Sequence, residues 1–302
     1  MLAITIDVED WYHIPSVTGS PFSKFKDIDE FFHEWIGRYD FLTEPTKKVL
    51  DLLDEYKLKA TFFVVADVTE HSPGLVEQIA VRGHEIACHG LHHACKLHPK
   101  TKQPLFTQAE FEERTYKAKQ LLEKTSNQKV IGYRAPNAYI AGWMIDSLER
   151  LGFKYDSSVC VNSFYNKSDS SLNGVDTRPY CPGKSALQPG DYRPIMEFPW
   201  PYKKGIVKFP TAGGPMLRLF GARYIMAGIK QSLKRGDTIF YFHPIDISTE
   251  TFPVNFSWRR PFYWMIKGET VENRVRYILS NIKETSATCE QLLRNEVSPH
   301  GN

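Results

Sequence analysis

The sequence has few cysteines, and their placement excludes two classes of small, cross-linked protein. Five cysteines, an odd number, are scattered over 302 residues without a C-x-x-C pair, at Cys88, Cys95, Cys160, Cys181 and Cys289. Disulfide-framework domains and cysteine-based zinc modules both need paired, closely spaced cysteines. The pattern therefore favours a reducing compartment and excludes both classes.

The sequence also lacks a large excess of charge and long apolar runs. It carries 38 Lys and Arg against 35 Asp and Glu, a net charge of +3, which is too small to indicate a nucleic-acid partner. No stretch reaches the roughly 18 apolar residues that a membrane-spanning helix needs. Residues 1–7 lack a basic region followed by an apolar run, so we expect a mature cytoplasmic protein without a cleavable leader.

What the sequence does contain is a regular alternation of predicted strands and helices. Apolar, strand-like segments occur at residues 2–6, 60–66, 84–88, 130–134, 153–156, 195–199 and 238–243. Helix patterns occur at residues 27–35, 43–53, 72–83, 107–124, 142–151, 216–233 and 269–293. Strands that alternate with helices and are apolar on both faces are typical of a parallel sheet. We therefore predict an α/β fold, a seven-stranded (β/α) barrel in which residues 1–302 form a single domain.

Two segments fall outside this alternation. Residues 160–190 are rich in Ser, Asn, Asp, Gly and Pro, and we interpret them as a long surface excursion. From about residue 250 the chain forms a C-terminal extension, which begins with an aromatic loop over residues 252–264. Neither segment is expected to form a separate domain.

Local signals predict how several helices begin and where one of them breaks. Thr43 is a predicted N-cap, and Thr107 with Glu110 matches a capping box. Gly221 and Gly228 are expected to interrupt the helix that contains them, because glycine weakens a helix interior.

Charged and imidazole side chains recur where the predicted strands end. In a parallel barrel the carboxyl ends of the strands meet at one mouth, where the active sites of such barrels lie. The residues concerned are Asp7, Glu9, Asp10, His89, His93, Arg134, Asp156 and His243. We therefore expect these side chains to gather at that mouth.

Two of these histidines suit a metal site. If the chain turns helically after the third strand, His89 and His93 stand at i and i+4 on one face and can share a divalent cation. The third ligand would be a carboxylate, Glu9 or Asp10. Strand alternation places Asp7 and Glu9 on one face, whereas a bulge at the strand end would favour Asp10, so both stay open.

This set of residue types has a definite chemistry. Two imidazoles and one carboxylate leave coordination positions for water and substrate. A metal held in this way lowers the pKa of water and polarises a carbonyl oxygen. A second carboxylate can act as general base, and a separate histidine can protonate a leaving group. The set is therefore that of a metal-dependent hydrolase.

Other histidines and the tryptophans have structural explanations. His84 and His92 flank the predicted ligands but are out of phase with them, and we assign both structural roles. Large aromatic side chains are more often core residues than sugar-stacking platforms. Four tryptophans are candidates for either role: Trp11, Trp200, Trp258 and Trp264.

The motifs, taken in order, resemble those of the NodB-homology polysaccharide deacetylases, carbohydrate esterase family 4. The first motif of that family, an aspartate pair after a strand, resembles residues 5–10 (TIDVED), and its His-x-x-x-His motif matches residues 89–93. Its Arg-x-Pro motif matches residues 134–136, its fourth motif resembles residues 155–158, and its late strand-end histidine matches His243. The resemblance covers most of the chain and implies a distorted seven-stranded (β/α) barrel.

The resemblance implies a role for each matching residue. Asp7 would be the general base and His243 the general acid. Arg134 would fix the orientation of Asp7, and Asp156 would support the site without contacting substrate. The implied reaction is hydrolysis of the N-acetyl group of an amino sugar. It would use a divalent metal, which we expect to be zinc, with cobalt or nickel as alternatives.

The resemblance narrows further to a subgroup associated with cell-surface polysaccharide assembly. The similarity to that subgroup lies in residues 197–199, residues 242–244 and the C-terminal extension. It implies a carbohydrate substrate in a lipid-linked or nucleotide-linked precursor. Two features depart from the family pattern. The aspartate pair is not adjacent, and Asn137 stands where an aromatic residue often follows Arg-x-Pro, so an oxyanion donor there would be its backbone N–H.

Two other functions stay open at this stage. A hydrolase of the same fold could act on a small amide or ureide, with or without a metal. A non-catalytic carbohydrate-binding protein could keep the barrel alone, although a binder has no need of base, metal ligands and acid together.

Overall fold

The computed structural model describes most of the chain. The described residues are 1–18, 23–94, 98, 105–164, 167–253, 266–282 and 286–297. Cys95 and most of the predicted aromatic loop, including Trp258 and Trp264, lie outside them. Among the described residues no helix is long and apolar enough to cross a membrane.

A curled parallel sheet forms the centre of the protein. The strands of this sheet are β1 (Leu2–Val8), β2 (Thr61–Val64), β3 (Glu85–Cys88), β4 (Gly132–Tyr133), β5 (Tyr155–Asp156), β6 (Met196–Glu197), β9 (Thr238–Phe242) and β10 (Ser286–Ala287). Two further strands, β7 (Tyr202–Lys204) and β8 (Lys208–Pro210), form a separate hairpin. The main order is β9-β1-β2-β3-β4-β5-β6, and every pair in it is parallel. The predicted seven-stranded α/β architecture is confirmed. Within the described ranges no ladder joins β6 to β9, so the barrel is open there.

Helices follow most strands and cover the outside of the sheet. They are α1 (Ile28–Glu34), α2 (Thr43–Glu55), α3 (Val68–His71), α4 (Leu75–Val81), α5 (Gln108–Ser126), α6 (Gly142–Arg150), α7 (Gly214–Leu233), α8 (Glu269–Ile282) and α9 (Cys289–Val297). The capping box of Thr107 and Glu110 is present at the start of α5. Thr43 is not the cap of α2 but its first residue, because Asp40 Oδ1 accepts the backbone N–H groups of Leu42 and Thr43.

The predicted C-terminal helix is in fact two helices. The chain leaves α8 and forms β10, which pairs in parallel with the first residues of β1, before α9 begins. The short strand thus fills the part of the β1 edge that β2 does not reach, since β2 pairs only from Thr5 onward. Amphipathic periodicity alone did not reveal this break.

The two glycines of α7 behave differently. Gly221 breaks the helix as predicted, with φ of 76°. Gly228 does not interrupt it. A Cβ at Gly228 would lie 2.4 Å from the Thr211 side chain, so glycine is needed there for close packing.

Alternation along β1 decides which side chains can reach the site. The even-numbered residues of this strand pack into the larger apolar core, whereas Ala3 belongs to a smaller cluster on the other face, with Phe63 and Tyr241. Thr5 and Asp7 share the face of Ala3. All seven residues of β1 are buried, so a charged side chain on this strand needs a buried partner.

Candidate active site

Asp7 is held by a buried arginine, Arg134, which directly follows β4. Arg134 Nη1 donates to Asp7 Oδ1 over 2.6 Å and to Thr5 Oγ1 over 3.0 Å. Its Nε and Nη2 donate to the backbone oxygen and the hydroxyl of Ser157. Arg134 is completely buried, and its guanidinium lies 4.0 Å from the centroid of the Phe63 ring. The predicted contact between Arg134 and Asp7 is therefore present, and the other oxygen, Asp7 Oδ2, lies 4.0 Å from His243 Nε2.

Glu9, His89 and His93 form a compact cluster that can hold a metal ion. One ligand atom of each lies within 4.8 Å of the others, and all three residues are buried. Glu9 Oε2 is 2.6 Å from His93 Nε2 and 3.9 Å from His89 Nε2. His89 Nδ1 lies 2.8 Å from the backbone oxygen of Arg134. Because a carbonyl oxygen can only accept, Nδ1 carries the proton and Nε2 keeps its lone pair for a metal.

The two histidines come together without a helix. Residues 89–94 form a bend, so the predicted helical turn is wrong. Gly90 and His93 both have positive φ, 81° and 51°, and this reversal brings the His89 and His93 rings to 4.9 Å between centroids. A Cβ at Gly90 would also lie 3.1 Å from Pro136.

The structure separates the two carboxylates that the sequence left as alternatives. Asp10 accepts the backbone N–H groups of Trp11 and Phe41 and caps a short 3-10 helix, Trp11–His13. Burial raises the pKa of Asp10 to about 8, against the effect of these donors. Burial also acts to raise the pKa of Glu9, but the neighbouring His93 and His243 outweigh it and hold that pKa well below its usual range. Glu9, not Asp10, therefore lies with the two histidines in the cluster.

His243 faces both carboxylates and is supported from behind by a pair that the sequence did not suggest. Its Nε2 lies 3.4 Å from Glu9 Oε1 and 4.0 Å from Asp7 Oδ2. On the other side, Asp246 Oδ2 lies 3.2 Å from His243 Nδ1 and accepts the His243 backbone N–H. Asp246 in turn forms a buried ion pair with Arg218 of α7. In the sequence, the spacing of three residues between His243 and Asp246 could have indicated that these two side chains meet.

Asp156 lies apart from His243 and from the cluster of Glu9, His89 and His93. It accepts the backbone N–H and the hydroxyl of Ser158, and it lies opposite Glu197 across β5 and β6. Burial raises the pKa of both carboxyl groups, and their mutual repulsion raises that of Glu197 further. Ser158 Oγ also accepts the backbone N–H of Ala135, next to Arg134. Asp156 thus supports the segment that carries Arg134.

The remaining candidates are structural in this fold. His84 Nδ1 accepts the backbone N–H of Ala60, and His92 lies 3.1 Å from Asp67, which also binds His13. Trp11 is buried among aromatic rings that include Phe31 and Trp35. Trp200 is buried against Tyr241, and its Nε1 donates to the backbone oxygen of Ser157. Neither tryptophan presents a ring face for stacking on a sugar.

Two family models match consecutive parts of the chain. The first, described as polysaccharide deacetylase, matches residues 37–155 and so includes both histidines of the cluster and Arg134. Residues 37–155 belong to a polysaccharide deacetylase domain. The second model, described only as a domain of unknown function (DUF3473), matches residues 168–293, which supply β6, β9 and His243. Residues from both matches therefore lie in one sheet.

Curated proteins similar to this deacetylase domain are named deacetylases. A peptidoglycan-N-acetylglucosamine deacetylase of Bacillus cereus is 28% identical over 109 residues, which is 36% of this chain and 47% of that protein. The peptidoglycan-N-acetylmuramic acid deacetylase PdaA of Bacillus subtilis is 28% identical over 110 residues, 36% of this chain and 39% of that protein. The chain thus spans less than half the length of either relative.

Solved structures share the fold of this chain over nearly its whole length. A Mycobacterium smegmatis protein assigned to the polysaccharide deacetylases has a TM-score of 0.64 at 19% identity, covering 99% of this chain and 90% of its own. PuuE allantoinase has a TM-score of 0.60 at 15% identity, covering 100% and 91%. A CE4 family pseudoenzyme from Bacillus anthracis has a TM-score of 0.52 at 12% identity, covering 97% and 65%. At these identities the similarity defines the fold alone.

Proposed function

We propose that this protein is a metal-dependent hydrolase that removes the N-acetyl group of an amino sugar in a cell-surface glycan or its precursor. The observation that carries the proposal is the convergence of a metal-binding triad with a buried, arginine-bound carboxylate and a carboxylate-bound histidine. The triad is Glu9, His89 and His93, and the flanking groups are Asp7 and His243. A carbohydrate-binding protein has no need of this combination.

The triad fits a divalent cation. Its donors are two imidazoles and one carboxylate, a set typical of catalytic zinc, with cobalt or nickel as alternatives. Burial lowers the pKa of His89 to about 4, which keeps that ring neutral and able to coordinate. His93 turns Nε2 toward Glu9, the nitrogen with which it would bind a cation shared with that carboxylate. A bound cation would polarise the acetyl carbonyl and acidify water.

The residues of this chain supply the proton transfers. Asp7 Oδ2 takes a proton from the attacking water while Oδ1 stays bound to Arg134. His243 Nε2 delivers a proton to the departing amine nitrogen, and Asp246 fixes the imidazole so that Nε2 points into the site. Residues 1–302 act as one catalytic unit in this proposal, because each half of the chain provides one of the two proton-transfer groups.

Acetate release tests the proposed function. Purified protein should release acetate from soluble N-acetylglucosamine oligomers, lose this activity after treatment with a chelator, and regain it with zinc or cobalt. Comparing acetate release from nucleotide-linked and lipid-linked amino sugars identifies the preferred form of substrate. Allantoin serves as a ureide control. Fully active metal-free protein, or hydrolysis of allantoin without acetate release from any sugar, would contradict the proposal. Glycan binding without acetate release under saturating metal would indicate a binding protein.

Exchanging one carboxylate at a time tests which residue binds the metal. Glu9→Gln removes the charged ligand, and we expect bound metal and acetate release both to be lost. Asp10→Asn leaves the triad intact and weakens the hydrogen bonds that Asp10 accepts from the backbone of Trp11 and Phe41, so metal content should persist while the free energy of unfolding falls by about 1 kcal/mol. Metal analysis after gel filtration, with thermal unfolding of both variants, gives the answer. The reverse pattern of metal content would assign the ligand to Asp10.

A further inference from the structure

One segment of the chain carries only positive charge. Residues 198–236 contain eight Lys and Arg and no Asp or Glu. Two of the eight are paired with carboxylates elsewhere, Arg218 with Asp246 and Arg235 with Asp176. The other six, which form no salt bridge within the described part of the chain, are Lys203, Lys204, Lys208, Arg223, Lys230 and Lys234. The segment comprises the β7–β8 hairpin and α7.

The tip of this hairpin is apolar and fully exposed. Lys204 pairs with Lys208 across the two strands, which leaves residues 205–207 as the turn. Ile206 in that turn has a relative exposure of 107%, and Val207 has 45%. Burying such side chains away from water is favourable, so an exposed apolar turn is a candidate contact surface.

Further exposed apolar side chains lie beside the hairpin. Phe209 of β8 contacts the rings of Phe164, at 5.0 Å between centroids, and of Phe220, at 5.3 Å. Phe164 is 58% and Phe220 47% exposed, and Leu219 is exposed as well. The hairpin is fixed to α7 by Lys204, whose backbone N–H and C=O bond the Gln231 side chain. We call the surface formed by residues 203–208, Phe164, Leu219 and Phe220 the hairpin surface.

The chain segments that flank the hairpin start next to the site. Trp200, just before β7, donates to the same backbone oxygen of Ser157 that holds Arg134. At the other end of the hairpin, Gly214 starts α7 against Asp246, whose carboxylate a Cβ at Gly214 would meet at 2.6 Å. Leu219 and Phe220 follow within two turns, about 9 Å along the helix at 1.5 Å per residue.

We propose that the hairpin surface docks this protein onto an anionic lipid bilayer, with Ile206 and its apolar neighbours entering the interface and the lysines contacting lipid phosphates. Charge complementarity favours this occupant, because three lysines flank the apolar turn and none forms a salt bridge with a described carboxylate. Pairing with a second copy of the chain would place Lys203, Lys204 and Lys208 against one another. Docking would hold the mouth near membrane-attached glycans, and this last statement about substrate class rests on the proposed function.

Vesicle co-sedimentation of the full chain tests the docking. We expect the protein to sediment with vesicles containing phosphatidylglycerol, to stay in solution with phosphatidylcholine vesicles, and to be released by salt. The triple variant K203E, K204E and K208E should bind anionic vesicles about 100-fold more weakly. Ile206→Ser should weaken binding about tenfold by removing the inserted side chain.

Matched changes elsewhere control for total charge and exposed apolar area. The triple variant K117E, K124E and K129E reverses three exposed lysines on and after α5, and Val81→Ser removes a side chain that is 87% exposed on α4. Both controls should bind vesicles as the unaltered protein does. Equal losses in the control and hairpin variants, no preference for anionic vesicles, or self-association that the hairpin changes abolish would overturn the docking.

The same variants separate docking from catalysis. Acetate release from soluble oligomers should be unchanged by the hairpin substitutions, since none of them is part of the site. Vesicle binding without acetate release by any form of the protein would refute the proposed function and leave the docking intact. Acetate release without vesicle binding would refute the docking and leave the proposed function intact.

Discussion

Replacing Asp7 by asparagine is expected to reduce acetate release by about 10²–10⁴-fold, the range that a positioned general base contributes. The amide oxygen of Asn can still accept from Arg134 Nη1, so the geometry around Oδ1 should survive. The amide cannot take a proton from water at Oδ2. Metal content should stay unchanged, because Asp7 is not one of the three clustered ligands. Steady-state kinetics together with metal analysis measures both quantities.

The same substitution also removes the charge that neutralises a buried guanidinium. We expect the free energy of unfolding to fall by about 3 kcal/mol, since Arg134 is then left without an ionised partner. Thr5→Val is the matched control. It deletes another hydrogen bond to Arg134 without touching the base, and it should cost about 1 kcal/mol of stability with nearly normal acetate release. An Asp7→Asn variant with normal kcat would rule out the assigned base.

The part of the site that lies at strand ends could be predicted from the sequence. Asp7 and His243 follow apolar strands whose parallel pairing is dictated by burial on both faces, and parallel strands bring such ends together. The contact between Arg134 and Asp7 has the same origin, since β4 and β1 lie in one sheet. Their roles came from the family resemblance and stay predictions.

What the sequence could not supply depends on local backbone geometry. The choice between Glu9 and Asp10 turns on how far β1 stays extended before Asp10 caps the next turn, which alternation alone cannot decide. The approach of His89 and His93 depends on positive φ angles at Gly90 and His93, where a helix was expected. Neither angle leaves a periodic signal in the sequence.

Asp246 and Arg218 were missed for a different reason. They lie 28 positions apart in the chain and meet only because α7 starts against the turn that follows β9. Such a contact is set by tertiary packing, and a charged residue inside a helix normally reads as surface. Their burial makes them the strongest test of how His243 is positioned.

Asp246→Asn is therefore expected to lower kcat about 10²-fold or more while leaving the metal and KM nearly unchanged. An amide at this position lacks the negative charge that stabilises a doubly protonated His243, and its NH₂ can donate to Nδ1 instead of accepting from it. The imidazolium that would carry the acid proton on Nε2 therefore forms less readily. The free energy of unfolding should also fall, by about 3–5 kcal/mol, because Arg218 keeps a buried charge without its partner. Kinetics and chemical denaturation measure the two effects.

The double variant Asp246→Asn with Arg218→Met separates positioning from stability. Removing both charges leaves no uncompensated ion in the interior, so the double variant should regain much of the stability that Asp246→Asn loses. Acetate release should stay low, because His243 still lacks the carboxylate that stabilises its doubly protonated form. If activity returned together with stability, Asp246 would act through the packing of α7 alone, and the orientation of His243 would have to come from the carboxylates on its other side, Asp7 and Glu9.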